Sequence, residues 1–206
     1  MINSVTILEK IIIDPPMAKI YSRLGFSKKM SSLSSSRRRE TDRQIQEAVA
    51  LISLKGSFRL LPIQENNGRK IRLADGLSFE SARLASFLGN CREAALMAAT
   101  AGSPVMEAIV KKTKEDHLTA AVIYDATASE MADTALDWIM DYINRQLRRE
   151  GRHLLPRRFS AGYGDFALEH QKEIHRKLQL KKIGVTLTPS FLMVPEKSVT
   201  AISGIV

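Results

Sequence analysis

The chain has 206 residues, 44% of them hydrophobic, which is enough to bury a substantial core and excludes a disordered polymer. A single cysteine, Cys91, excludes an internal disulfide and leaves no thiolate metal site, a usage that suits a reducing cytoplasm. The net charge of +9 directs attention to acidic proteins, phosphate-bearing ligands and nucleic acid as partners.

In chain order, Ser4 to Ile13 is rich in isoleucine and valine and reads as a strand that stops at Asp14-Pro15-Pro16. The apolar run Val5 to Ile13 carries Glu9 and Lys10 inside it, so it is too short and too charged to span a membrane, and no basic leader or cleavage site marks a signal peptide. Met17 to Leu24 predicts a short helix closed by Gly25, Phe26 to Ser36 a serine-rich loop, and Arg37 to Ala50 an amphipathic helix through Ile45, Ala48 and Val49. Leu51 to Ile63 and Lys70 to Phe79 alternate like strands, interrupted at Gly56, Asn66-Asn67-Gly68 and Asp75-Gly76; the Asn-Gly step signals a hairpin. Ser78 or Ser81 caps a helix running to Leu88 and closed by Gly89. Glu93 to Thr100 reads as a buried strand, with a buried helix segment equally compatible with its alanines.

Pro104 then starts a helix to about Lys114. After a linker and apolar stretch from His117 to Asp125, Ser129 begins the longest helix, which runs to about Arg149 and is ended by Gly151. On it Met131, Ala135, Trp138 and Tyr142 form one stripe suited to core packing. His153 to Ser160 reads as extended, Leu168 to Lys181 as a basic amphipathic helix, and Gly184 to Ile205 as two or three short strands. Strands joined by hairpin signals rather than helical crossovers predict an α+β fold with a central, mostly antiparallel sheet flanked by helices. No composition break divides the chain, so residues 1–206 are expected as one domain, with residues 1–50 as a helical lobe on it.

Familiar catalytic constellations are missing. There is no glycine-rich dinucleotide or phosphate loop and no Gly-x-Ser-x-Gly elbow, and His117, His153, His170 and His175 lack zinc-site spacing, so no catalytic residue and no metal ligand is assigned. Two late segments carry more information. Arg158-Phe159-Ser160-Ala161-Gly162-Tyr163 combines a guanidinium fork suited to a carboxylate, a glycine that lets backbone approach a ligand, and a tyrosine that can cover it. The second runs from Leu187-Thr188-Pro189-Ser190-Phe191 through Met193 and Pro195 to Ser198-Val199.

In this order and at this separation the two segments resemble the S-adenosylmethionine-binding activation domain of vitamin B12 (cobalamin)-dependent methionine synthase, and the whole chain resembles small stand-alone relatives of that domain. The resemblance is carried mainly by Arg158 to Val199, less by Ala95 to Trp138, and least before Gly56. It implies a single curved α+β domain with its ligand in a groove over the sheet. It implies that Arg158 meets the S-adenosylmethionine carboxylate, that Ser160, Ala161 and Gly162 supply backbone contacts, and that Tyr163 packs beside the ligand, with Ser190 contributing from the second segment. Asp133 matches a family glutamate near the ligand, where a carboxylate favours the sulfonium or amino group. Two departures stand out: Pro189 replaces a common glutamate, and Ala167-Leu168-Glu169 stands where the family has Pro-Asp-His.

The function so implied is that of an activation subunit for reductive remethylation of a corrinoid protein. Cobalamin would sit on that partner methyltransferase, and a flavodoxin-like or other electron donor would serve it. From Arg145 to Lys182 eleven basic residues face four acidic ones, an excess placed to meet an acidic corrinoid protein or the cofactor's phosphate. The alternatives are a corrinoid-protein-binding module without S-adenosylmethionine binding, permitted by Pro189, and a basic nucleic-acid-binding protein.

Overall fold

The computed structural model describes residues 4–26 and 34–206. Its strands are β1 (Thr6–Leu8), β2 (Lys55–Asn66), β3 (Lys70–Leu73), β4 (Ser78–Glu80), β5 (Glu93–Thr100), β6 (Thr186–Leu187), β7 (Met193–Val194) and β8 (Ser198–Ile205). The α-helices are α1 (Met17–Arg23), α2 (Ser35–Leu51), α3 (Ala82–Leu88), α4 (Ser103–Lys114), α5 (Leu118–Leu147) and α6 (Gln171–Lys177). The main sheet is antiparallel in the order β4-β3-β2-β5-β8, with β1 on the same edge of β2 as β3; β6 and β7 form a separate hairpin. This is the predicted α+β fold with an antiparallel sheet, curled into a half-barrel.

Strand β5 shows how tertiary packing decides an ambiguous segment. Alanine and leucine favour a helix, yet β5 lies between β2 and β8 with both faces covered. Ala95, Met97 and Ala99 point into one core with Ala128, Met131, Ala132, Ala135 and Ile139 of α5. Ala94, Leu96 and Ala98 point into the other, with Phe79, Leu84, Leu88, Phe166 and Leu178. Small side chains on the strand and on α5 let the helix lie close to the sheet. Gly56 serves the same contact: it stands inside β2 rather than breaking it, because a Cβ there would come within 2.6 Å of Ile139 Cδ1.

Other expectations are corrected by packing. The strand expected over Ser4–Ile13 narrows to β1, after which the chain turns so that Ile11 is buried and its N–H meets Leu54 O at 2.9 Å. Helix α5 begins at Leu118, not Ser129, because Ala121, Ile123, Tyr124 and Ala126 to Ala128 are already buried on its first turns. The helix expected over Leu168–Lys181 breaks at Gln179, whose φ is 53°, freeing the Leu178 carbonyl to accept from Ser57 Oγ at 2.7 Å while Leu180 and Ile183 fill the second core. Ser81 is the cap of α3, accepting from Leu84 N at 2.9 Å. The loop expected over Phe26–Ser36 lies mostly outside the described residues; Ser34 caps α2. Among the described residues no helix is long and apolar enough to cross a membrane.

Candidate functional site

Strand β8 brings the two informative segments to one end of the sheet. Leu154 bridges Ile205 and Phe159 bridges Ile202, both antiparallel, so the chain climbs β8 backwards and Ser160 to Tyr163 emerges near the start of the strand. The β6–β7 hairpin enters β8 at that same start. Helix α5 lies alongside: Asp125 pairs with Lys197 at 2.6 Å, Asp133 and Asp137 with Arg158, and Asn144 Oδ1 accepts from Leu154 N at 2.8 Å. The long helix thus aligns its acidic flank with the segment that carries Arg158.

Both terminal guanidinium nitrogens of Arg158 are engaged by that flank. One guanidinium nitrogen donates to Asp133 Oδ1 at 2.6 Å and to the Asp133 carbonyl at 3.4 Å; the other donates to Asp137 Oδ1 and lies 3.7 Å from Met140 Sδ. Lys19 on α1 adds a second cation, donating to Asp137 Oδ2 at 2.9 Å. Burial opposes ionisation of Asp137, but Arg158 and Lys19 outweigh it and hold the carboxyl below its usual range. Burial likewise opposes the charge on Arg158, and the two aspartates reverse that and raise it. Lys19, Asp137, Arg158 and Asp133 therefore form a line of alternating charges. The side chain of Arg158 is 20% exposed and those of Asp133 and Asp137 about twice that, so the line borders solvent.

The next residues make a tight turn. Gly162 has φ +92°, its N–H donates to Phe166 O at 2.7 Å, and Tyr163 N–H reaches Ser160 O at 3.3 Å. Ser160 is half-buried and Ala161 buried, while the ring of Tyr163 is 69% exposed. Phe166 anchors the turn in the second core against Phe79, Phe159 and His170. Asp165 ties it to α3, accepting from Ser81 Oγ at 2.5 Å and Ala82 N at 2.7 Å; these bonds, the Ser81 hydroxyl first, hold its carboxyl below the usual range.

In the second segment Thr188 organises the hairpin tip. Its Oγ1 lies 3.0 Å from Ser190 Oγ and accepts from Leu192 N at 3.1 Å, and Phe191 takes φ 65°. Ser190 is exposed at the tip, its hydroxyl against Thr188 Oγ1, whereas Arg158 and Asp133 are joined directly. Ser198 is buried at the base, donating to Pro195 O at 2.7 Å with its Oγ 2.8 Å from Thr100 Oγ1.

Sequence reasoning missed Asp137, although its i,i+4 spacing from Asp133 places both carboxylates on one helix face. Nothing in the sequence pointed to Lys19 or to Asp165. The basic run also resolves differently from its count. Lys177 is buried, donating to Asp75 Oδ2 at 2.6 Å beside Arg59, and Arg152 and Arg176 pair with glutamates, so none of the three is a free surface charge. His170 packs on Phe79 and Phe166, and His175 Nε2 lies 2.8 Å from Val185 O. Cys91 is half-buried, and burial pushes its thiol up. Among the described residues no cluster of histidine, cysteine and carboxylates is suited to a metal ion.

No protein-family model and no curated protein matches the chain. Among solved structures, a crystal structure of the MetH reactivation domain bound to AdoHcy matches with a TM-score of 0.70 at 14% identity, covering 98% of this chain and 78% of that one. At that identity the likeness establishes the fold: the chain has the architecture of that reactivation domain over nearly its whole length.

Proposed function

We propose that this protein binds S-adenosylmethionine and acts as the activation component of a corrinoid-dependent methyltransferase of the methionine synthase type. The observation that carries this reading is the alternating line Lys19, Asp137, Arg158, Asp133 beside the Gly162 turn, on the fold of a domain solved with AdoHcy bound. The amino-acid end of S-adenosylmethionine is a zwitterion with a further positive charge on sulfur. Arg158 would exchange one aspartate for the ligand carboxylate, and the released aspartate would take the ammonium or sulfonium. Each charge keeps a partner throughout, so the exchange avoids leaving a desolvated ion unpaired. Ser160, Ala161 and the turn at Gly162 would hold the ligand's backbone-facing edge, and Tyr163, already exposed, would cover it.

When bound, the ligand supplies an electrophilic methyl group, and cobalamin on the partner, reduced by a flavodoxin-like or other donor, supplies the acceptor. The chain's own contribution is orientation and charge rather than proton transfer. Titration calorimetry with S-adenosylmethionine tests the reading: saturable binding that Arg158→Ala weakens supports it, and no binding up to millimolar ligand removes it.

One observation favours a second reading. Arg158 is already paired with two aspartates, and Pro189 stands where the resembled family has a glutamate. A module that binds the corrinoid partner without S-adenosylmethionine would keep the fold and lose the exchange. It predicts pull-down of the partner with no calorimetric signal for the ligand.

A further inference from the structure

Across α5 from Arg158 the chemistry is different. Trp138, Tyr142 and Arg145 lie about 120 to 180° around the helix from Asp133. On that flank a cleft of about 670 Å³ opens between β1, β2 and the last turns of α5. Its size falls in the range of small-molecule sites. The floor is apolar, formed by buried Phe58, half-buried Leu60 and the Tyr142 ring, which meets Phe58 edge-on with centroids 5.8 Å apart.

The walls are basic. Arg145, Arg149 and Arg152 line the cleft, and the one carboxylate among the lining residues, Glu150, is committed to Arg152. Glu93 grips Arg152 as well, at 2.8 Å, fixing that wall. Arg145 and Arg149 are one helical turn apart, exposed, and without a counter-ion among the described residues; the Arg145 guanidinium carbon rests 6.0 Å from the Tyr142 ring centroid. The Tyr142 hydroxyl also has no hydrogen-bond partner among the described residues.

We propose that this cleft binds an organic phosphate. Two guanidiniums without counter-ions match the charge of a phosphate dianion, and their forked donors suit its oxygens. The body of the ligand lies on Phe58, Leu60 and the edge of Tyr142. This site is separate from the one proposed around Arg158 and stands whether or not S-adenosylmethionine binds.

Trp138, the chain's single tryptophan, stacks on Tyr142 at 5.4 Å and reports on the cleft by fluorescence. Phenyl phosphate, AMP and inorganic phosphate are titrated at physiological salt, with amide shifts followed in parallel. Phenyl phosphate or AMP should saturate and bind at least about tenfold more tightly than inorganic phosphate, the difference made by apolar contact. The double variant R145Q/R149Q should lose about 100-fold, roughly tenfold for each charge-assisted contact. Tyr142→Phe should lose about three- to tenfold through the hydroxyl alone, and it keeps the packed ring should the double variant fold poorly. Arg158→Ala and K181Q/K182Q should leave phosphate affinity unchanged. The proposal is overturned if inorganic phosphate binds as tightly as the aryl ester, or if K181Q/K182Q weakens binding as much as R145Q/R149Q. It is equally overturned if neither small phosphate saturates while duplex or single-stranded nucleic acid binds with a steep salt dependence, which would make this a nucleic-acid face.

Discussion

The two flanks of α5 carry arginines in opposite states. Arg158 is held by two aspartates one helical turn apart and reinforced by Lys19, whereas Arg145 and Arg149 face aromatic and hydroxyl groups with no counter-ion among the described residues. Sequence counts both as members of one basic run. The difference arises because α5 presents Asp133 and Asp137 to one side and Trp138 and Tyr142 to the other, so charge neutralisation depends on helical phase. A paired, partly desolvated arginine suits exchange of one anion for another. An unpaired, hydrated arginine suits capture or steering.

The strongest way to break the comparison is to remove its common base. Ile139 is fully buried between the flanks and presses on Gly56, so Ile139→Ala should cost about 2 to 5 kcal/mol in urea denaturation and weaken both sites. A loss below about 1 kcal/mol would mean the flanks do not share α5 as a rigid support.

Arg158→Ala sharpens it directly. S-adenosylmethionine affinity should fall by about 2 to 5 kcal/mol in calorimetry, with Arg158→Lys recovering only part. Stability should fall by about 1 to 2 kcal/mol, less than for a fully buried pair because both aspartates are nearly half exposed. Arg145→Ala should change stability by no more than about 0.5 kcal/mol. Equal stability costs for the two alanine variants would erase the contrast.

Next come the turn residues. Gly162 occupies φ +92°, and a Cβ there would meet only Leu168 Cδ1, at an ordinary contact distance of 3.4 Å. Gly162→Val should therefore cost about 1 to 2 kcal/mol through backbone strain rather than collision, and abolish ligand binding. Tyr163→Phe should leave the melting temperature unchanged and reduce affinity by about 0.5 to 1.5 kcal/mol, one neutral hydrogen bond. A large stability loss in Tyr163→Phe would show the ring to be structural.

The smallest effect is on acid stability. Burial pushes the Asp137 carboxyl up, but Arg158 and Lys19 overcome it and hold the group below its ordinary 3.8; Asp165 is lowered too, by Ser81 and the α3 backbone. Between the folded and ordinary values the unfolded chain binds more protons. The stabilisation is therefore complete above pH 3.8 and lost as pH falls through the lower folded values. Asp137→Asn should flatten this part of the stability profile; an unchanged slope would detach Asp137 from it.

Local signals in the sequence determined much of this protein. Asn66-Asn67-Gly68, Ser81 with Gly89, Pro104 and Gly151 placed a hairpin and the ends of three helices, because turn and cap chemistry acts over a few neighbouring residues. The Arg158–Tyr163 segment could be singled out from its residue types, and the α+β class with its antiparallel sheet from the hairpin signals. Only the tertiary structure decided that the alanine-rich Glu93–Thr100 is a central strand, that α5 starts at Leu118, and that Gly56 is a contact point rather than a break. It alone decided that Arg158 is met by Asp137 as well as Asp133, that Asp165 ties the Gly162 turn to the start of α3, and that Lys177 is buried on Asp75. Each of these depends on groups brought together from distant positions, where burial and pairing outweigh the weak preferences of any single residue.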